Sequence, residues 1–161
     1  MKRVPLTIVV LTAAVLTVHV LAQAPPDFSG RWTLVPDPAA GGRGGFGGLG
    51  QSATITQDAT TLTITRSTQA GEFTSTYKLD GTESKNTLNF QGNAIEQVSK
   101  ARWEGGRLIV NTTMNVGGNP AEVSMTMAFD ETGNLIVEST RPDFQGGGAP
   151  ITTKRTYKKT E

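Results

Sequence analysis

From Phe28 almost to the C-terminus, apolar residues recur at every second position, and this alternation restricts the chain more than any other feature. A period of two sends alternate side chains to opposite faces of an extended strand, whereas a helix needs a period near 3.6. Phe28, Gly30, Trp32 and Leu34 share one face, and the rhythm repeats in Ala53/Ile55, Leu62/Ile64, Phe73/Ser75/Tyr77/Leu79 and Leu88/Phe90. It continues through Ala101/Trp103, Leu108/Val110/Thr112/Met114, Val123/Met125/Met127/Phe129, Leu135/Val137 and Thr153/Arg155/Tyr157. The runs are rich in Thr and β-branched residues, which suits a pleated surface with one wet face. No stretch carries a convincing helical stripe.

Turn chemistry separates the runs: Gln57-Asp58-Ala59-Thr60, Asp80-Gly81, Glu104-Gly105-Gly106, Gly117-Gly118-Asn119-Pro120 and Asp130-Glu131-Thr132-Gly133-Asn134. Short Gly-bearing connections make neighbours in sequence neighbours in space, so the pattern predicts antiparallel hairpins in a row. The fold expected is all-β, a single up-and-down antiparallel meander of 8–10 strands. Such a sheet leaves two raw edges unless its first and last strands pair, and closure into a barrel removes them. A barrel of this size is either filled by side chains or just able to hold one small ligand.

Upstream of the pattern, Lys2 and Arg3 precede an apolar run from Val4 to Leu21 that ends at Ala22-Gln23-Ala24. Basic start, apolar stretch and small residues are the order of a secretory signal peptide over 1–22, followed by a short leader at 23–27 and one barrel domain at 28–161. The alternative is a retained anchor, since the run reaches the lower edge of a membrane-spanning length. Cleavage leaves 139 of the 161 residues and takes the net charge from +1 to −1. That balance predicts no nucleic-acid partner, and loss of the apolar run on cleavage leaves no membrane span expected. The expected location is periplasmic or extracellular, and the chain is expected to be monomeric.

Cys is absent and the single His, His19, lies in the export segment. Disulfides, thiol nucleophiles, histidine bases and the usual zinc sites are thereby excluded from the mature chain. No metal and no cofactor are expected. Most acidic residues sit in turns (Asp58, Asp80, Glu104, Asp130, Glu131) or at outward positions (Glu122, Glu138), where they read as solvated turn formers rather than a catalytic pair.

Two Gly-rich segments, 41–50 and 141–150, interrupt the pattern and are expected at strand ends. They are read either as flaps over the barrel mouth or as flexible linkers with Phe46 and Phe144 as apolar tips. GxGxxG occurs twice, from Gly42 and from Gly45, but Thr54-Ile55-Thr56 follows as strand where a phosphate-binding loop requires a helix.

The face predicted to point inward carries Trp32, Trp103, Tyr77, Phe73, Met125, Met127 and Phe129, with Arg155 and Tyr157 projecting the same way. Large apolar residues with a few convergent polar groups describe a small-molecule cavity, and equally a packed core.

Asp27-Phe28-Ser29-Gly30-Arg31-Trp32-Thr33-Leu34-Val35 resembles the opening strand of the calycin barrels, the lipocalins and fatty-acid-binding proteins, whose first strand carries Gly-x-Trp. Lys154-Arg155-Thr156-Tyr157-Lys158-Lys159 is similar to the last strand of the fatty-acid-binding branch. That likeness implies an Arg155/Tyr157 pair on a ligand carboxylate, and closure of the barrel through Gly30 and Trp32. The lipocalin likeness implies instead that Arg155 packs across Trp32. Tyr77-Lys-Leu-Asp-Gly-Thr-Glu and Ala101-Arg-Trp-Glu-Gly-Gly-Arg-Leu-Ile-Val also resemble small exported lipocalin-like bacterial proteins. The function expected is binding of an apolar or amphipathic molecule, an acidic lipid-like one included, without catalysis. Ligand contacts are expected from Arg155, Tyr157, Tyr77, Trp103, Phe73, Met125, Met127 and Phe129. The alternative is a cell-envelope structural or interaction module with a filled core.

Overall fold

The structure is a computed structural model that describes residues 24–37, 48–68, 71–90, 92–143 and 148–160. The export segment and the tips of both Gly-rich segments, with Phe46 and Phe144, lie outside the described residues.

Each alternating run forms a strand. In chain order they are β1 (Gly30–Leu34), β2 (Ser52–Gln57), β3 (Thr61–Thr68), β4 (Gly71–Lys78), β5 (Glu83–Phe90), β6 (Asn93–Glu104), β7 (Arg107–Val116), β8 (Asn119–Phe129), β9 (Leu135–Arg141) and β10 (Ile151–Thr160). All pairings are antiparallel, in the order β4-β3-β2-β1-β10-β9-β8-β7-β6-β5. The first and last strands do pair, with Trp32 opposite Lys159 and Leu34 opposite Tyr157. The result is one nearly closed up-and-down barrel.

The remaining seam differs from the expected hairpin. β4 and β5 are joined by the Asp80-Gly81 turn, yet no backbone ladder links them among the described residues. Side chains span the gap instead. The Lys78 N–H donates to Ser84 Oγ at 2.7 Å and the Thr76 N–H to Asn86 Oδ1 at 2.8 Å, while Asn86 Nδ2 donates to the Thr76 carbonyl at 3.0 Å. An inserted side chain holds the two backbones farther apart than a ladder would, which is why a tight turn here does not continue as a hairpin.

With the end where β1 begins called lower, the main core fills the lower and middle barrel. Phe28, Leu62, Leu108, Met127 and Leu135 are fully buried there, each contributing about 1.5–3 kcal/mol by leaving water. The leader forms part of this packing. Gln57 accepts from the Phe28 N–H and donates to the Pro26 carbonyl, and its own N–H donates to Ser29 Oγ. That staple sets Phe28 under the barrel, where its ring stacks on Trp103 at 5.8 Å and meets Phe129 at 5.0 Å. The Trp32 indole N–H donates to the Phe28 carbonyl at 2.9 Å and completes the plug. Gly30 is required in this corner: its φ is 136° and a Cβ would fall on the Lys159 side chain.

β6, β7 and β8 have 12, 10 and 11 residues against five in β1, so their ladders continue above the rest of the wall. A second, smaller cluster sits on this extension, with Met114, Ala121 and Val123 buried and Ile95 and Val116 half-buried.

Candidate functional site

The inner face changes character along the barrel axis. Below, the alternation places apolar side chains that are mostly buried, with Trp103 half-buried and Phe129 exposed at the rim. Above, the same faces carry Ser75, Gln97, Ser99 and Ser139, buried among apolar neighbours, together with half-buried Phe73, Arg141 and Arg155. Ser99 and Thr112 hydroxyls bond each other at 2.8 Å, and Gln97 Nε2 lies 4.0 Å from the Met114 sulfur.

Arg66 is the central charged group of this upper interior. It follows Leu62 and Ile64 at period two on β3, so its side chain enters the barrel, where it lies between Ala53 of β2 and Phe73 of β4. Nη1 donates to the Gly48 carbonyl and Nη2 to Ser75 Oγ, both at 3.2 Å. Nε is buried and has no hydrogen-bond partner. Among the described residues no carboxylate forms an ion pair with Arg66; Lys100–Glu83 and Arg102–Glu104 pair on the surface.

Tyr157 is fully buried beside this group. Its hydroxyl accepts from the Leu49 N–H and donates to the Gly50 carbonyl, both at 3.2 Å. Burial pushes its pKa up, opposed by the Arg155 guanidinium next to the hydroxyl and, more weakly, by Arg66. Residues 48–50 thus form a strap held from inside by Arg66 and Tyr157, with Leu49 itself fully buried.

The residues singled out from the sequence separate into two groups. Arg155, Tyr157, Phe73 and Met125 lie in the middle and upper interior, near the strap or on facing walls. Trp103, Phe129 and Met127 belong to the lower plug and core, and Tyr77 is buried in the core opposite Leu62. Trp32 also contacts Phe129, with centroids 5.9 Å apart. The cation over the Trp32 ring is Lys159, at 5.7 Å, not Arg155. Register explains the exchange: Lys159 is directly opposite Trp32, whereas Arg155 lies higher, opposite Val137 of β9.

Arg66, Ser99 and Ser139 were not singled out from the sequence, and Ser75 entered only as a member of the Phe73/Ser75/Tyr77/Leu79 alternation. Extending the Leu62/Ile64 alternation by one step reaches Arg66, so a signal existed. A polar residue at an inward position reads as the end of a strand unless the strand's length is known.

The described acidic residues are exposed, apart from half-buried Asp130 and Asp143. Asp58, Asp80 and Asp130 close turns by accepting hydrogen bonds from Thr60 and Thr61, from Thr82, and from Thr132 and Asn134. Among the described residues no three acidic, His or Cys side chains are grouped to hold a metal, and no helix is long and apolar enough to cross a membrane. The outer face of β1–β4 carries an open polar groove of about 480 Å³ lined by Arg31, Thr33, Ser52, Thr54, Ser67 and Glu72 among others. No protein-family model matches the chain, and no curated protein matches it.

Proposed function

We propose that the protein is an exported small-ligand-binding barrel that holds an apolar or amphipathic molecule, an acidic lipid-like one included, and does not transform it. The observation that carries this reading is the contrast between the two ends of the interior. The lower end is plugged by buried Phe28 and Trp32, with half-buried Trp103 against them and Phe129 exposed at the rim, whereas the upper interior mixes half-buried Phe73, Ile95, Val116 and Arg155 with the buried polar groups of Ser75, Gln97, Ser99 and Ser139. A concave, mainly apolar surface with a few convergent polar groups is what small-molecule sites are built from. The body of the ligand packs against Met125, Phe73 and the Met114/Val123 cluster; Trp103, Phe129 and Met127 serve the reading as the floor beneath it. The same proposal places the chain among calycin-type, lipocalin-like barrels. Gly30-x-Trp32 and the basic Lys159 across the indole support that placement. Export is supported by the basic and apolar order of residues 1–22.

The test is displacement of a hydrophobic fluorescent dye from the full chain by decanol and by decanoate. Displacement by either is expected, and failure of the dye and both amphiphiles to bind would remove the reading.

One feature favours a second reading, an envelope interaction module: the polar outer groove is separate from the interior. That reading gains if no amphiphile binds while substitutions at Thr54 or Arg31 alter association with envelope components.

A further inference from the structure

The geometry points to an anion-recognition site built on Arg66 of β3, so that the ligand of this barrel carries a carboxylate or phosphate-type head group received there rather than by an Arg155/Tyr157 pair. This rests on the ligand-binding reading above and narrows its ligand class. Three observations converge on it.

First, the Arg66 guanidinium is held in place without being satisfied. Two of its nitrogens are fixed by the Gly48 carbonyl and Ser75 Oγ, and the buried Nε has no acceptor. A buried donor on a charged group with no partner is costly, and the charge is not compensated by any carboxylate ion pair among the described residues. An anion meeting the Nε edge would supply both the missing acceptor and the missing charge. Charge-assisted, planar contacts to guanidinium are the strong form of this bond.

Second, Tyr157 is already committed. Its hydroxyl gives its proton to the Gly50 carbonyl and receives the Leu49 N–H, so a head group binding at that oxygen would have to break the strap. At Arg66 no hydrogen bond has to break, because Nε is the atom left over; it is closed to solvent, so a head group reaches it by displacing the side chains packed over it.

Third, the strand order sets an apolar cluster on the wall facing Arg66. Counting through the ladder and the β4–β5 seam, β3 and β8 are five strands apart in either direction, so they face each other across the barrel. At the upper end of β8 are Ala121 and Val123, packed with Met114 and flanked by Ile95 and Val116. A molecule with its anion at Arg66 lays its chain toward that cluster.

The experiment compares decanoate, decyl phosphate, decanol and decylamine on the full chain by calorimetry, then repeats the set on Arg66→Met and Arg155→Met. Expected are at least tenfold tighter binding of one or both anions than of decanol, the weakest binding for decylamine, and loss of the anion preference in Arg66→Met but not in Arg155→Met. Decanoate and decyl phosphate separate a carboxylate source from a phosphate source. Equal affinity for anions and alcohol in the unaltered chain overturns the anion site while leaving ligand binding intact. Loss of preference in Arg155→Met with its retention in Arg66→Met moves the head group to β10 and also overturns it. No binding of any of the four removes the ligand reading itself. Arg66→Lys, which keeps the charge but lacks the Nε edge, covers a misfolded Arg66→Met. It is expected to lose most of the preference, and full retention there counts against the Nε geometry.

Discussion

Tyr157 shows how a single side chain can be both predictable and misjudged. Its place on the inner face follows from the parity of Thr153, Arg155 and Tyr157, and it is fully buried. Its partners do not follow, because Leu49 and Gly50 lie 108 and 107 positions away in a Gly-rich stretch with no periodicity of its own. The hydroxyl satisfies a donor and an acceptor that would otherwise be buried and unpaired. Tyr157→Phe is therefore expected to destabilise the fold by about 1–3 kcal/mol, the usual penalty for a stranded buried polar group. A urea midpoint equal to that of the unaltered chain would show that the strap is held by other contacts. Arg66 presents the reverse case: its position was available by extending Leu62/Ile64 one step, but its unpaired Nε is a property only of the assembled barrel.

At the scale of strands, alternation specified all ten, because each buries one face and a one-residue slip would expose it. The pairing of β1 with β10 was likewise legible, since an unpaired edge at both ends of a meander is a liability. The β4–β5 seam was not legible. Asp80-Gly81 has the composition of a tight hairpin, and nothing local reveals that Ser84 and Asn86 will offer side-chain oxygens to the N–H groups of Lys78 and Thr76. Asn86 bears the larger share, since its amide both accepts and donates. Asn86→Ala is expected to cost about 0.5–1.5 kcal/mol, because the Thr76 N–H and carbonyl lose their partner at a site open to water. Amide hydrogen exchange locates the effect: Thr76 should lose protection far more than the β1–β10 pair, and an even loss over the barrel would contradict a local clasp. The division of the interior into a plugged lower end and a polar upper end was also hidden, because it depends on how far β6–β8 outreach β1 and on Phe28 being drawn under the barrel by Gln57.

For the molecule as a whole, the placement of charge sets how stability responds to pH. Residues 24–160 contain no histidine, so no side chain with an ordinary pKa near neutrality titrates there. The response lies in the turn carboxylates. Asp58 is lowered from 3.8 to about 2, led by the Thr60 N–H and then by Thr61. Asp130 is likewise lowered to about 2, chiefly by Thr132, with Asn134 adding to it. Asp80 and Asp27 are lowered by hydrogen bonds from Thr82 and Ser29. In the unfolded chain Asp58 and Asp130 take up protons near pH 3.8, while in their folded turns they resist until about pH 2, so over that interval the unfolded state binds more protons. The stabilisation is present above the unfolded pKa and is lost as pH falls through the folded one. The urea midpoint should therefore be level from pH 5 to 8 and decline between roughly pH 4 and pH 2. The fall should be shallower in a double Asp58→Asn, Asp130→Asn variant, whose amides cannot titrate. A midpoint that instead drops between pH 5 and 8, or an acid slope unchanged in the double variant, would show that some group other than these turn aspartates governs the folded barrel.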